Sequence, residues 1–277
     1  MRKTSWIEET WVNNTKTQYK LGLELIEKLQ PKDGEVILDL GCGDGRLTLE
    51  IAKNIPNGRV IGIDISDALL AMANKNLDES RLSNVTFMNM NAMEMNSQEE
   101  YDAIYSNMVL DLIPNQDEFY GRLHAALKPG GRLLVNALIN PPNGPLVTLD
   151  MKALMMLAQQ PKYKALASAK PSASFNSVPP DTTKQMAEGC GFADVNIETK
   201  DEVQQFADVA DAAACGSTWR GVFSILKAIP DQMRKMIVDD METGFNQLLE
   251  QVPEEELAET LQTTFPIFTL QAIRLSE

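Results

Sequence analysis

The rhythm of apolar and polar positions changes several times along the chain. Between residues 15 and 29, Tyr19, Leu23, Ile26 and Leu29 recur at helical spacing. Asn14 or Thr15 is placed to cap that helix and Pro31 to stop it. From Glu35 the period collapses into short apolar runs at 35–39, 59–64, 84–90, 101–106 and 132–138, each of strand length. Helical stretches separate them at 47–54, at 66–77 behind a Ser66 cap, and at 116–127 before Lys128-Pro129-Gly130-Gly131. Strands apolar on both faces, alternating with helices, predict parallel βαβ units covered on both sides.

Beyond residue 138 the pattern loosens. Residues 140–180 carry seven prolines around a short apolar helix at 151–158. A helix at 181–190, stopped by Gly191, precedes a strand at 193–199. A helical insertion over 201–262 then holds thirteen acids against four bases. An apolar strand at 265–274 closes the chain. The pattern predicts an α/β fold, a doubly wound sheet in one domain over 1–277. Its core covers about 15–140, 181–200 and 263–277, and its lid segments about 1–14, 141–180 and 201–262.

Charge and composition narrow the function. The 277 residues are 44% apolar with a formal net charge of −14, a field that repels nucleic acid, and no run of Lys or Arg offsets it. Cys42, Cys190 and Cys215 are sparse and far apart, and His124 is the single histidine. That set suits neither a disulfide framework nor a zinc site, so no metal is expected. The first residues lack an apolar leader core, and no run approaches the roughly 18 apolar residues of a membrane span. A reduced, cytoplasmic protein away from membranes is the expectation.

The sharpest local signal is Val36-Ile-Leu-Asp39-Leu-Gly41-Cys42-Gly43-Asp44-Gly45, a buried strand running into a glycine turn that opens a helix. Glycines let the backbone approach a ligand closely. Asp64 follows about 20 residues later at the end of the next strand, where a carboxylate can accept both ribose hydroxyls. A dinucleotide site of the G-x-G-x-x-G kind would need glycine at position 46, and this chain has Arg46. The acid Asp39 before the glycines suits a cationic amino group better than a pyrophosphate. The competing reading is a glycine turn that holds no ligand.

These residues resemble the class I methyltransferases that use S-adenosylmethionine (SAM), over roughly residues 19–192 and the last strand. Asp39-Leu-Gly41-Cys-Gly43-Asp-Gly45 is similar to that family's first motif and Gly62-Ile-Asp64-Ile65-Ser66 to its second. Met90-Asn91-Ala92 stands beside the adenine position, where the family usually has an acid. Tyr101 to Asn107 and Leu127 to Val135 look like the fourth and fifth motifs. The resemblance implies a Rossmann-like seven-stranded sheet with an antiparallel last strand. It implies SAM as cofactor and S-adenosylhomocysteine as product. Asp39, Gly41, Cys42, Gly43 and Gly45 would hold the methionine end, Asp64 the ribose, and Ile65, Asn91 and Ala92 the adenine. Asn107 would touch the methionine portion or the substrate; the competing readings are a simple strand-end cap for Asp64 and a turn residue for Asn107.

Within that class the chain is similar to the trans-aconitate, malonyl-carrier-protein and juvenile-hormone-acid methyltransferases. The shared stretches are Asn14-Thr-Lys-Thr-Gln18 and Ser106 to Ile113, with Asp111-Leu112 in place of a common His-Trp pair. Gln18 is a candidate substrate contact by that resemblance, or a polar residue of the first helical turn. Asp111 is a candidate base, or an anchor for a cationic substrate; the competing reading is first-turn helix chemistry or a solvated loop acid. Trp219, Phe223 and Leu226 form a stripe in the insertion that reads as packing or as a substrate wall. Trp219 and Arg220 are the substrate candidates there. His124 reads as a surface or satisfied histidine. Small-molecule methylation by in-line displacement, in a monomer or homodimer, is the expected activity. Methylation of protein or RNA, and SAM binding without turnover, are the alternatives.

Overall fold

A computed structural model describes residues 15–140, 143–163, 176–207, 212 and 231–276. In chain order the elements are α1 (Lys16–Leu29), β1 (Val36–Leu40), α2 (Arg46–Asn54), β2 (Arg59–Asp64), α3 (Asp67–Ser80), β3 (Val85–Asn89), β4 (Tyr101–Asn107), α4 (Gln116–Ala126) and β5 (Leu127–Leu138). There follow α5 (Pro145–Ala158), α6 (Pro180–Gly189), β6 (Phe192–Gln205), α7 (Asp231–Leu249), α8 (Glu254–Thr260) and β7 (Gln262–Arg274). The seven strands form one sheet in the order β3-β2-β1-β4-β5-β7-β6. Strands β1 to β5 pair in parallel, and β7 runs antiparallel to β5, with Val135 opposite Leu270. The doubly wound sheet with its reversed last strand is therefore as expected.

The chain divides into two compact units. The larger holds residues 16–139, 176–200 and 267–277. Two apolar layers lie on opposite faces of its sheet. One packs Leu38, Ile63, Ile104 and Phe268 against Phe119, Leu123 and Ala187 of α4 and α6. The other packs Ile37, Val60 and Tyr105 against Leu25, Leu29 and Ile51 of α1 and α2. Strands buried on both faces account for the near-continuous apolar runs in the sequence. Arg132 on β5 ties the end of α1 to the sheet. It donates to Leu29 O at 3.0 Å and to both Glu35 oxygens at 2.6 and 2.8 Å, and that guanidinium holds the Glu35 carboxyl below the usual range.

The smaller unit takes residues 1–15, 140–175 and 201–266. Among its described residues, Ala153 of α5 meets Phe206, Phe245, Leu249 and Leu261. The Tyr163 hydroxyl and Lys162 both donate to Asp240, each at 2.5 Å. Several bounds differ from the sequence expectation: α5 begins at Pro145 rather than 151, and β7 at Gln262 rather than 265. Strand β6 continues to Gln205, so the 201–262 insertion begins as strand rather than helix. Strand β5 starts at Leu127, so Lys128-Pro129-Gly130-Gly131 lies within a strand rather than closing a helix. Arg274 explains the start of β5: it donates to His124 O and Leu127 O, satisfying carbonyls at the end of α4 as the chain turns directly into β5.

Candidate active site

At the carboxyl end of β1 the backbone turns three times through left-handed glycines, Gly41, Gly43 and Gly45 (φ 75°, 55° and 75°). Two of them also leave no room for a side chain. A Cβ on Gly41 would lie 2.2 Å from Val109 Cγ2, and one on Gly45 would lie 2.5 Å from Phe87 Cζ. The Gly41 and Cys42 amides both donate to Ile63 O, at 2.8 and 3.0 Å, which fixes the turn against the end of β2.

Asp64 sits at that end. One carboxylate oxygen accepts the Gly43 N–H at 3.0 Å, and the other accepts the Ser66 N–H at 2.9 Å. Ser66 in turn caps α3 by accepting from Leu69 N. A carboxylate held by two backbone donors is fixed in direction. Next to it Ile65 is 67% exposed. An isoleucine that solvated, beside an oriented carboxylate, presents an apolar surface to a planar ring.

Asp39 lies beneath the turn, 2% exposed, and accepts from Thr48 Oγ1 at 2.5 Å. Burial, with smaller repulsion from Asp64 and Asp44, pushes its carboxyl up to about 7 against the bond from Thr48. The same burial raises the Cys42 thiol well above its ordinary range, and Asp39 and Asp64 add to the effect. Asp44 is engaged by Arg46, whose Nε donates at 2.7 Å and whose guanidinium lies 4.9 Å over the Tyr19 ring of α1. The arginine that removed the dinucleotide pattern therefore packs α1 against the turn.

Asn107 and Gln18 meet at the end of β4. Asn107 Nδ2 donates to Gln18 O at 3.0 Å, and its oxygen accepts from Asn136 at 3.3 Å. Asn136 also donates to Leu21 O at 3.1 Å and accepts from Thr269 at 2.7 Å. This network joins α1 to β4, β5 and β7. Gln18 itself is 8% exposed, and its Oε1 has no hydrogen-bond partner among the described residues. Asn136 was missed in the sequence, although an asparagine inside an apolar strand is a signal of buried hydrogen bonding.

The remaining candidates separate. Asp111 is 1% exposed and so is no solvated loop acid, but it lies in the first turn of the short helix Leu110–Leu112, as the competing first-turn reading has it. Asn91 caps the turn Ala92–Glu94, its oxygen accepting from Met93 N at 3.0 Å, and Ala92 is buried. The structure thus gives the Asn91 oxygen a local role as well. His124 rests edge-on against Phe192 with ring centroids 5.2 Å apart, and burial lowers its pKa. Trp219 and Arg220 lie outside the described residues, as do Phe223, Leu226, Cys215 and segment 1–14. Among the described residues no three metal-binding side chains converge, and no helix is long and apolar enough to cross a membrane.

A reversed seventh strand and a glycine turn facing an acid at the end of β2 define the class I SAM-dependent methyltransferase fold. The sequence profile described as "Methyltransferase domain" matches residues 31–211, more than half of the chain, and the chain belongs to that family. Trans-aconitate 2-methyltransferase of Variovorax paradoxus is 34% identical over 114 residues, 40% of this chain and 42% of that protein. The chain therefore spans about two fifths of the length of this curated relative. Among solved structures, the YcgJ protein from Bacillus subtilis is similar with a TM-score of 0.60 at 15% identity, covering 94% of this chain and 100% of that one. Phosphoethanolamine N-methyltransferase 2 of Haemonchus contortus, solved in complex with SAM, gives 0.57 at 17% identity, covering 93% of this chain and 53% of that one. The family's cofactor is SAM.

Proposed function

We propose that this protein transfers a methyl group from SAM to a small-molecule acceptor. The observation that carries the reading is Asp64, oriented by Gly43 and Ser66 beside the exposed Ile65. The residues fit the cofactor. Asp64 would hold the ribose hydroxyls, and Ile65, Asn91 and Ala92 would border the adenine. The Gly41-Cys42-Gly43 backbone borders the methionine portion and Gly45 closes the turn. Asp39, when ionised, attracts the cationic amino group.

When bound, SAM supplies a methyl already made electrophilic by its sulfonium, so the protein's task is alignment at about 3–3.5 Å and exclusion of water. Asn107 holds α1 in place through Gln18 O, and Gln18 Oε1 is an acceptor for the substrate or cofactor. Asp111, buried just past β4, accepts a proton from the acceptor or holds its cationic group. The net charge of −14 supports a small acceptor over a nucleic acid. The free thiols Cys42 and Cys190 support a reducing, cytoplasmic setting.

Titration calorimetry with SAM, S-adenosylhomocysteine and NAD tests the reading. Micromolar binding of the first two, and none of NAD, is expected. Absence of SAM binding removes it.

A further inference from the structure

Asn136 grips the end of β4 with both its backbone and its side chain. It lies opposite Asn107 in the parallel register of β4 and β5. Its carbonyl oxygen accepts from Met108 N at 2.8 Å, and its Nδ2 donates to Asn107 Oδ1 at 3.3 Å and to Leu21 O at 3.1 Å. The residue is 3% exposed, so these bonds form at low dielectric.

Met108 is a position that needs holding. Its φ of 61° is left-handed, a conformation that a residue with a side chain keeps only where its surroundings enforce it. The kink is followed by Val109, whose Cγ2 lies 2.2 Å from where a Cβ on Gly41 would be. The chain leaving β4 therefore rests on the glycine turn.

Backbone carbonyls settle which way both amides face, because they accept and never donate. The Asn136 atom directed at Leu21 O is therefore nitrogen, and so is the Asn107 atom directed at Gln18 O, 3.0 Å away. Asn107 must then turn its oxygen to Asn136. Thr269 Oγ1 secures the other side of the Asn136 amide by donating to Oδ1 at 2.7 Å. Asn107 stands at the carboxyl end of a central strand, the end where doubly wound sheets bind ligands. Its orientation is set from the neighbouring strand.

We infer that Asn136 is a positioning residue for methyl transfer. Its side chain orients the Asn107 amide that holds Gln18 and α1, and its carbonyl fixes the Met108 kink that lays Val109 on the glycine turn. The inference rests on the proposed methyl transfer and deepens it.

Calorimetry of the full chain with SAM, with Tm measured alongside, tests the assignment. Asn136→Asp keeps the size and the acceptor for Thr269 but removes both Nδ2 donors, so the Asn107 amide turns over and releases Gln18 O. A rise of about tenfold in the Kd for SAM is expected, the factor that one hydrogen bond of ordinary strength contributes. In Asn107→Ala no amide is left to orient, and the same substitution should raise Kd by less than about twofold further. A lowered Tm with Kd unchanged, or an equal factor in both backgrounds, shows that Asn136 serves the fold alone and overturns the assignment.

Thr269→Val repeats the cycle without a new buried charge. It removes the bond that secures the Asn136 amide and leaves the partners of Asn107 in place. A rise of about threefold in Kd is expected, absent in the Asn107→Ala background; an equal factor in both overturns the inference. Unsubstituted protein that binds no SAM overturns the proposed function and this inference together. SAM binding with neither cycle coupled overturns this inference alone.

Discussion

The Asp64 carboxylate accepts the backbone N–H of Gly43 across 3.0 Å, so the end of β2 and the glycine turn are one hydrogen-bonded unit. Replacing Asp64 by Ala removes both the turn's partner and the proposed ribose acceptor. SAM affinity is expected to fall by at least about tenfold, or 1.4 kcal/mol. Unchanged affinity by calorimetry would remove the ribose assignment.

Asp39 makes the site sensitive to pH. Its carboxyl takes up a proton more readily in the folded chain, at about 7, than the ordinary value of 3.8. Its contribution to stability is therefore complete below the unfolded value and lost as pH rises through about 7. Cofactor attraction runs the other way, because only the ionised acid attracts a cationic amino group. SAM affinity is expected to rise between pH 5.5 and about 7.5. In Asp39→Asn it should be weaker and nearly flat over that range, and a wild-type profile equally flat would refute the role.

Gly45→Ala tests the turn itself. The new Cβ would meet Phe87 Cζ at 2.5 Å and Ala73 Cβ at 2.9 Å from a backbone at φ 75°. Overpacking and left-handed strain together are expected to cost about 2–4 kcal/mol in denaturant unfolding. A loss under about 0.5 kcal/mol, typical of open surface sites, would mean the turn relaxes freely.

The strand arrangement was legible in the sequence because burial on both faces leaves a plain apolar signature. Residues 59–64 were read as a strand and form β2 with those bounds. The boundaries that failed were set by distant partners. Leu127 becomes strand because Arg274, 147 residues away, satisfies the carbonyls that a helix end would expose. Asp64, Asp39 and the glycines could be placed by spacing alone. The pairing of Gln116 could not, since it bonds Asn176 O, 60 residues along.

Asn136 is a further test of that distant bonding. Its amide links Leu21, Asn107 and Thr269 at 3% exposure. Asn136→Ala strands several buried groups, and a loss of about 2–4 kcal/mol is expected in urea unfolding. A neutral effect would show that the network adds no stability.

Cys42 offers a chemical check. Burial of its thiol, with smaller repulsion from Asp39, Asp64 and Asp44, keeps it protonated. Iodoacetamide labelling followed by peptide mass spectrometry should find it inert in the native protein and reactive only in denaturant. Rapid native labelling would mean that the turn opens to solvent.

The glycine turn, Asp64 and Asn107 all come from one uninterrupted run, residues 36–107. The smaller unit instead joins the larger at residues 15/16, just before α1, at 139/140 beside β5, at 175/176 ahead of α6, and at 200/201 and 266/267 within β6 and β7. The molecule is modular in its threading: one half of the sheet is written in a single sentence, and the other half takes every insertion. Segments 140–175 and 201–266 thus lie wholly outside the run that carries the glycine turn, and a change in either leaves the sequence of residues 36–107 as it is.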